Sequence, residues 1–191
     1  MNILILGNGG REHTFCYKLA QSPQQPKLFI APGNAGTAQL GTNLAVNPTD
    51  LEAVAEAMTK HQIDLVVVGP EAPLVAGIHD YIAAHPTLGH IPVIGPKQEA
   101  AQLEGSKAYA KAFMERHNIP TAPYKQFTAD TLTEGLAYLE TIPAPYVLKA
   151  DGLAAGKGVL IIHELEEAKE ALTDMLANKK FGAASEQVVI E

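Results

Sequence analysis

Four short runs of almost uninterrupted apolar residues, NILIL (2–6), KLFIA (27–31), DLVVVG (64–69) and IPVIG (91–95), constrain this chain most strongly. A strand with one face in water alternates apolar and polar residues, whereas continuous runs are what a sheet covered on both faces requires. Helical patterns separate the runs. One covers about 11–21; a second covers 49–60, where Thr49 and Glu52 suggest a capping box and Leu51, Val54, Ala55 and Met58 share a face. A third covers about 74–85, with Leu74, Val75, Ile78 and Ile82 on one side. The order strand, helix, strand predicts an α/β fold with a parallel sheet and crossover helices. Glycine-rich segments follow the strands, at the carboxyl edge where open parallel sheets bind ligands.

After residue 96 the composition changes. AAQLEGSKAYAKAFMERHN (100–118) reads as an alanine-rich, charged helical region broken at Gly105 and stopped by Pro120, which marks a domain junction. From residue 121 the expected order is a strand at TAPYKQF, a helix at 131–140, a strand at 145–150, a glycine loop, a strand at 159–163, a helix at 164–177 and a strand at 186–191. That is a small α+β unit. It stops on a strand with no following element, so the chain is expected to be a fragment.

The stretch VLKADGLAAGKGV (147–159) carries the most chemistry. Gly152, Gly156 and Gly158 let backbone N–H groups approach an anion, and Lys149 and Lys157 supply countercharge. The spacing is not that of a P-loop: Gly152 to Gly156 is one residue short, and Gly158 stands where a magnesium-binding hydroxyl belongs. The β-branched run VLIIH that follows predicts a hairpin lid over the phosphates of a nucleoside triphosphate. Its loop is longer than the roughly two to five residues of a plain hairpin turn. Lys149 interrupts an otherwise apolar strand and requires a partner, which phosphate oxygens would provide. Lys107, just after Gly105 and Ser106 in a first helical turn, opposes the helix dipole unless an anion lies nearby; a plain exposed lysine is the competing reading.

At the other end, GNGGREH places Gly7, Asn8, Gly9 and Gly10 between a strand and a helix, an anion-binding position. A dinucleotide fits poorly, because the third glycine of that fingerprint would fall at Glu12 and no acidic residue closes the second strand. A mononucleotide or sugar phosphate fits better. Arg11 is placed to contact a phosphate or to pair with Glu12, and His13 to pack or to touch ligand. Gly33, Asn34 and Gly36 of PGNAG suit a tight turn. Glu71, between two prolines of GPEAPL, is placed to hold a ribose hydroxyl or an amine.

Composition narrows the partners. The net charge is −7, and the 14 Lys and Arg are scattered, so no basic face for nucleic acid is evident. No segment approaches the roughly 20 apolar residues of a membrane span, so the expectation is a cytoplasmic protein acting on small molecules, without nucleic-acid or membrane partners. Cys16 falls on a helical apolar face and reads as a buried small residue. Glu164, Glu166, Glu167, Glu170 and Asp174 form the solvated face of a helix rather than a metal site.

Taken in order, GNGGREH (7–13), PGNAG (32–36), GPEAPL (69–74), GSK (105–107) and KADGLAAGKGV (149–159) resemble the phosphoribosylamine–glycine ligase family of purine biosynthesis, members of the ATP-grasp superfamily. The resemblance runs along the whole chain. It implies a Rossmann-like, pre-ATP-grasp domain at 1–104 for phosphoribosylamine, a connecting helix at 105–120, and the ATP-grasp lid subdomain at 121–191, cut at the adenine hinge. By the same resemblance, Gly7, Asn8, Gly9, Gly10, Arg11, Gly33, Asn34 and Glu71 would meet the substrate. Lys107 and Lys149 would serve catalysis and ATP phosphates, with Asp151, Gly152, Gly156, Lys157 and Gly158 closing over them and Glu191 opening the hinge. ATP and Mg²⁺ or Mn²⁺ are the implied cofactors, with metal ligands beyond residue 191. The implied reaction joins glycine to 5-phosphoribosylamine at the expense of ATP. Two alternatives stay open: another ATP-grasp carboxylate–amine ligase, and a non-catalytic module that binds only a sugar phosphate.

Overall fold

Strand β1 (Asn2–Gly7) pairs in parallel on both sides, with β2 (Lys27–Pro32) and with β4 (Leu65–Val68), and so fixes the centre of the first sheet. In this computed structural model, residues 1–153 and 157–191 are described. They form two compact units, Met1–Ala101 and Gln102–Glu191.

In the first unit, α1 (Gly10–Ala20) links β1 to β2, and a 3₁₀ turn at Thr37–Gln39 leads to the two-residue β3 (Thr42–Asn43). Helix α2 (Leu51–Lys60) precedes β4; α3 (Glu71–Val75) and α4 (Ile78–Ala84) precede β5 (Val93–Ile94). The parallel sheet has the order β3-β2-β1-β4-β5. Its faces are both buried. Leu4, Leu6, Val66 and Val68 pack with Val54, Met58, Ile78 and Ile82, while Ile3, Ile5, Leu28, Ile30 and Val67 pack with Cys16 on the reverse side. Continuous apolar runs are the sequence consequence of that double cover. Burial pushes the Cys16 thiol up from its ordinary pKa, which suits a packing residue.

In the second unit, α5 (Gln98–Gly105), which begins in the first, and α6 (Lys107–Arg116) are followed by β6 (Lys125–Thr128), α7 (Leu132–Leu139), β7 (Tyr146–Ala150), β8 (Val159–Ile162), α8 (Leu165–Leu176) and β9 (Gln187–Ile190). The antiparallel order is β6-β9-β7-β8. One face, with Tyr146, Leu148, Ala150, Val188 and Ile190, is covered by Leu139, Ala168, Leu172 and Met175 of α7 and α8. The other face carries Val147, Lys149 and the fully buried Val189, and is open at its β8 edge, where Val159 and Ile161 remain exposed. The period of two along β7 thus separates core from site.

Several boundaries differ from the sequence expectation. The helix expected over 74–85 is two helices, interrupted at Gly77, whose φ of +91° belongs to the left-handed region. The strand expected from Thr121 begins only at Lys125, after Pro120 and Pro123, which have no N–H to give a ladder. DLVVVG and IPVIG contribute only 65–68 and 93–94. The α2 cap is Asp50, which accepts the Ala53 N–H at 3.1 Å, rather than Thr49, whose hydroxyl turns to Asn47. Asp50→Ala is therefore expected to lower stability in urea denaturation by about 1 kcal/mol. Thr49→Ala should change it by less than half that amount.

Candidate functional site

At the carboxyl edge of the parallel sheet, a buried carboxylate holds the loops together. Glu12, only 4% exposed, accepts the Gly9 N–H at 2.6 Å. A Cβ on Gly7 would meet the Glu12 side chain at 2.7 Å, and one on Gly69 would lie 1.9 Å from its Oε1. Gly7 also has φ +123°. These glycines therefore make room for Glu12, and the loops after β1 and β4 close around it. Sequence alone offers Glu12 only as a missing glycine or as a surface partner for Arg11. Instead Arg11 donates to the Gly69 carbonyl at 2.5 Å, which leaves the rest of its guanidinium uncommitted among the described residues.

Asn34 ties the next loop to the first. Its amide Nδ2 donates to Asn8 O at 2.9 Å, and its Oδ1 accepts the N–H groups of Gly36 and Thr37. Thr37, fully buried, and Asn43 complete the cluster, with Asn43 Nδ2 donating to Asn34 O. Gly33 has φ +74°, and a Cβ there would strike Asn43. His13 packs on Gly36. Gly7, Asn8, Pro32, Asn47 and Pro70 line a cleft of about 460 Å³ at this edge. The first-turn amides of α1, from Gly10 onward, lack intrahelical acceptors as at any helix start. Glu71 opens α3, half-buried.

In the second unit the corresponding organiser is Asp151. Its carboxylate accepts the Ala108 N–H at 2.6 Å and the Ser106 hydroxyl at 2.9 Å, while Ser106 Oγ accepts the Tyr109 N–H. Asp151 thus caps α6 from the end of β7, a use that the phosphate-loop assignment did not anticipate. This fixes Lys107, whose Nζ lies 3.4 Å from the carbonyls of both Asp151 and Gly152. Gly152 packs on Ala184, where a Cβ would come within 3.0 Å of Cα. Gly158 is buried and its carbonyl accepts the Ala150 N–H; Lys157 is exposed. Gly156 lies outside the described residues.

Lys149 Nζ donates to Glu191 Oε2 at 2.6 Å, and Lys111 Nζ lies 2.5 Å from Oε1 of the same carboxylate. The Lys111 contact is an ion pair without directed hydrogen-bond geometry, which leaves Oε1 buried with no formal hydrogen bond. Lys111 was not singled out in the sequence, although its place three residues after the buried Ala108 put it on the inner face of α6. Burial acts to raise the Glu191 pKa, but the two ammoniums outweigh it and hold the carboxyl below the ordinary glutamate range. A cleft of about 660 Å³ lined by Tyr124, Lys125, Glu134 and Tyr138 adjoins this group at Tyr124, whose ring centroid lies 5.4 Å from Lys111 Nζ.

Two outcomes follow. Gly7→Ala must displace Glu12 and adopt a left-handed φ, so it is expected to cost on the order of 3 kcal/mol of first-unit stability in chemical denaturation. A depressed carboxyl pKa stabilises the fold above the unfolded value and loses that contribution as pH falls through the folded value. Glu191→Gln should therefore flatten the acid limb of second-unit stability below the ordinary glutamate range, while costing about 2 kcal/mol at neutral pH because the pair is partly screened. Thermal melts of both proteins as a function of pH would show this.

The sequence profile described as "Phosphoribosylglycinamide synthetase, N domain" matches residues 1–104, and that described as "Phosphoribosylglycinamide synthetase, ATP-grasp (A) domain" matches 105–191. Phosphoribosylamine–glycine ligase of Pasteurella multocida is 51% identical over the whole chain, which spans 44% of that protein's length. Among solved structures, phosphoribosylamine–glycine ligase of Thermotoga maritima aligns with all of this chain at a TM-score of 0.75 and 33% identity, over 43% of its own length. N5-carboxyaminoimidazole ribonucleotide synthetase of Thermus thermophilus aligns over 99% of the chain and 46% of its own at 0.68 and 22% identity, a likeness of fold. The parallel sheet, the antiparallel sheet with its lysine-bearing open face and these matches together establish that the chain belongs to the phosphoribosylglycinamide synthetase family.

Proposed function

We propose that this chain supplies the phosphoribosylamine-binding and triphosphate-binding parts of a phosphoribosylamine–glycine ligase. The observation that carries the reading is Lys149, a lysine on the open face of an antiparallel sheet, at the root of a glycine-rich loop whose start is touched by Lys107. The reaction is ATP plus glycine plus 5-phosphoribosylamine to ADP, phosphate and glycinamide ribonucleotide. A glycine carboxylate oxygen attacks the γ-phosphorus and ADP departs, giving glycyl phosphate. The amine nitrogen of phosphoribosylamine then attacks the glycyl carbonyl, phosphate leaves and the amine proton is released. No protein nucleophile is required.

The protein's part is charge and position. Lys107 and Lys149 neutralise phosphate oxygens, and the loop from Asp151 to Gly158 covers them and keeps water from the acyl phosphate. In the first unit, Gly7, Asn8, Gly9 and Gly10 receive the 5′-phosphate of the sugar at the start of α1, with Arg11 adding charge. Gly33 and Asn34 hold that loop in place, and Glu71 faces a ribose hydroxyl or the amine. Glu191 begins the segment that meets adenosine. A divalent ion, Mg²⁺ or Mn²⁺, supplies further neutralisation of the transferring phosphoryl group when bound. Among the described residues no three His, Cys, Asp or Glu side chains gather as ligands; its ligands are expected beyond residue 191. The chain spans under half the length of its relatives, so turnover is proposed for the longer protein. A cytoplasmic setting and small-molecule partners, with neither nucleic acid nor membrane, accompany this reading; no described helix is long and apolar enough to cross a membrane.

Separate calorimetric titrations with ATP and with glycinamide ribonucleotide test it. Lys149→Ala should weaken ATP by about tenfold or more and leave glycinamide ribonucleotide unchanged. Undiminished ATP affinity removes Lys149 from the site, and binding of the ribonucleotide without ATP favours a sugar-phosphate module.

A further inference from the structure

Two ammoniums share one carboxylate in the second unit, and they are not equivalent. Lys111 is held by three oxygens: Glu191 Oε1 at 2.5 Å, Thr121 Oγ1 at 2.7 Å and Ala122 O at 3.1 Å, and its side chain is 9% exposed. Two of its N–H donors are spent on Thr121 and Ala122 and its charge is matched by Glu191, so Lys111 has little left to offer a further anion. Lys149 has one partner among the described residues, Glu191 Oε2, and its side chain is 25% exposed. It keeps donors in hand and borders the open face of the sheet. The Glu191 side chain is 12% exposed, too buried to stand unpaired cheaply.

We infer that Lys111 is the resident counterion of Glu191 and a positioning residue for nucleotide binding: it neutralises the carboxylate so that Lys149 can leave it for an incoming polyphosphate. This rests on the proposed role of Lys149. The cluster of two ammoniums and one carboxylate carries a surplus positive charge, and the surplus lies on the lysine with access to solvent. Without Lys111, moving Lys149 onto phosphate strands a buried carboxylate, and that desolvation penalty is subtracted from nucleotide affinity. Lys111 touches no phosphate in this account; it acts through Glu191.

A double-mutant cycle on ATP affinity tests this, with wild type, Lys111→Met, Glu191→Gln and the double variant, each first shown to retain its wild-type circular dichroism. Lys111→Met is expected to weaken ATP about tenfold, whereas adding Lys111→Met to the Glu191→Gln background should cost less than about twofold, since no carboxylate remains to be neutralised. An equal loss in both backgrounds overturns the inference, because Lys111 would then act directly or only through general stability. The wild-type protein supplies a second readout that needs no variant: the ¹³Cδ resonance of Glu191 during ATP titration. It should shift as Lys149 departs yet keep the chemical shift of an ionised carboxylate at neutral pH. No ¹³Cδ change at saturating ATP means that Lys149 does not leave, and protonation of Glu191 means that Lys111 does not suffice; either result overturns the inference. If wild type binds no ATP, the function proposed above fails with it, whereas ATP binding without the predicted coupling sinks this inference alone.

Discussion

The second unit depends on the Asp151 carboxylate more than on any other single polar group. By accepting the Ala108 N–H and the Ser106 hydroxyl it joins the carboxyl end of β7 to the start of α6. Three of the site's lysines lie on the two elements that it joins. Lys107 is the first residue of α6, Lys111 lies one turn further on, and Lys149 is two residues before Asp151 on β7. A carboxylate beside the proposed phosphate site would ordinarily repel such a ligand. Here its lone pairs are consumed by helix-start donors, which suits the positive end of the helix dipole.

The first unit solves the same problem with Glu12. A buried carboxylate takes the Gly9 amide, and glycines at 7 and 69 leave room for it. The glycine-rich loops are therefore shaped by protein contacts before any ligand arrives. Preorganisation of this kind lowers the cost of ordering a loop on binding. Asn34 extends it by bracing the Asn8 and Gly9 carbonyls from the neighbouring loop. Both halves of the chain thus spend acidic or amide side chains on holding backbone, and under the proposed function the basic side chains and helix-start amides are what remain for a ligand.

Periodicity made the architecture readable. Continuous apolar runs predicted a doubly covered parallel sheet, and the strand-helix order after residue 121 predicted the α+β unit. The failures are local and share a cause. Gly77 looks like one weak position inside a helical pattern, but its positive φ divides the helix, and sequence periodicity is blind to backbone sign. Asp50 outcompeted Thr49 because two adjacent residues both suit a cap and only tertiary placement chooses between them. β3 is two polar residues held by β2, too short to leave a pattern. At the site, the glycines and the lysines at 107, 149 and 157 announced themselves, whereas Glu12 and Lys111 did not. A buried charge is recognised by its partners, and the partners of Lys111 at Thr121, Ala122 and Glu191 lie 10 to 80 residues away in sequence.

The central claim is that the open face of the antiparallel sheet receives a triphosphate through Lys107 and Lys149. Lysine-ammonium ¹⁵Nζ spectra collected while ATP is titrated into the protein test it most directly, because they report which cations the phosphates engage. The account predicts that the Lys107 and Lys149 signals shift together with saturation while Lys111 stays in place. Saturable ATP binding with Lys149 unmoved would contradict it.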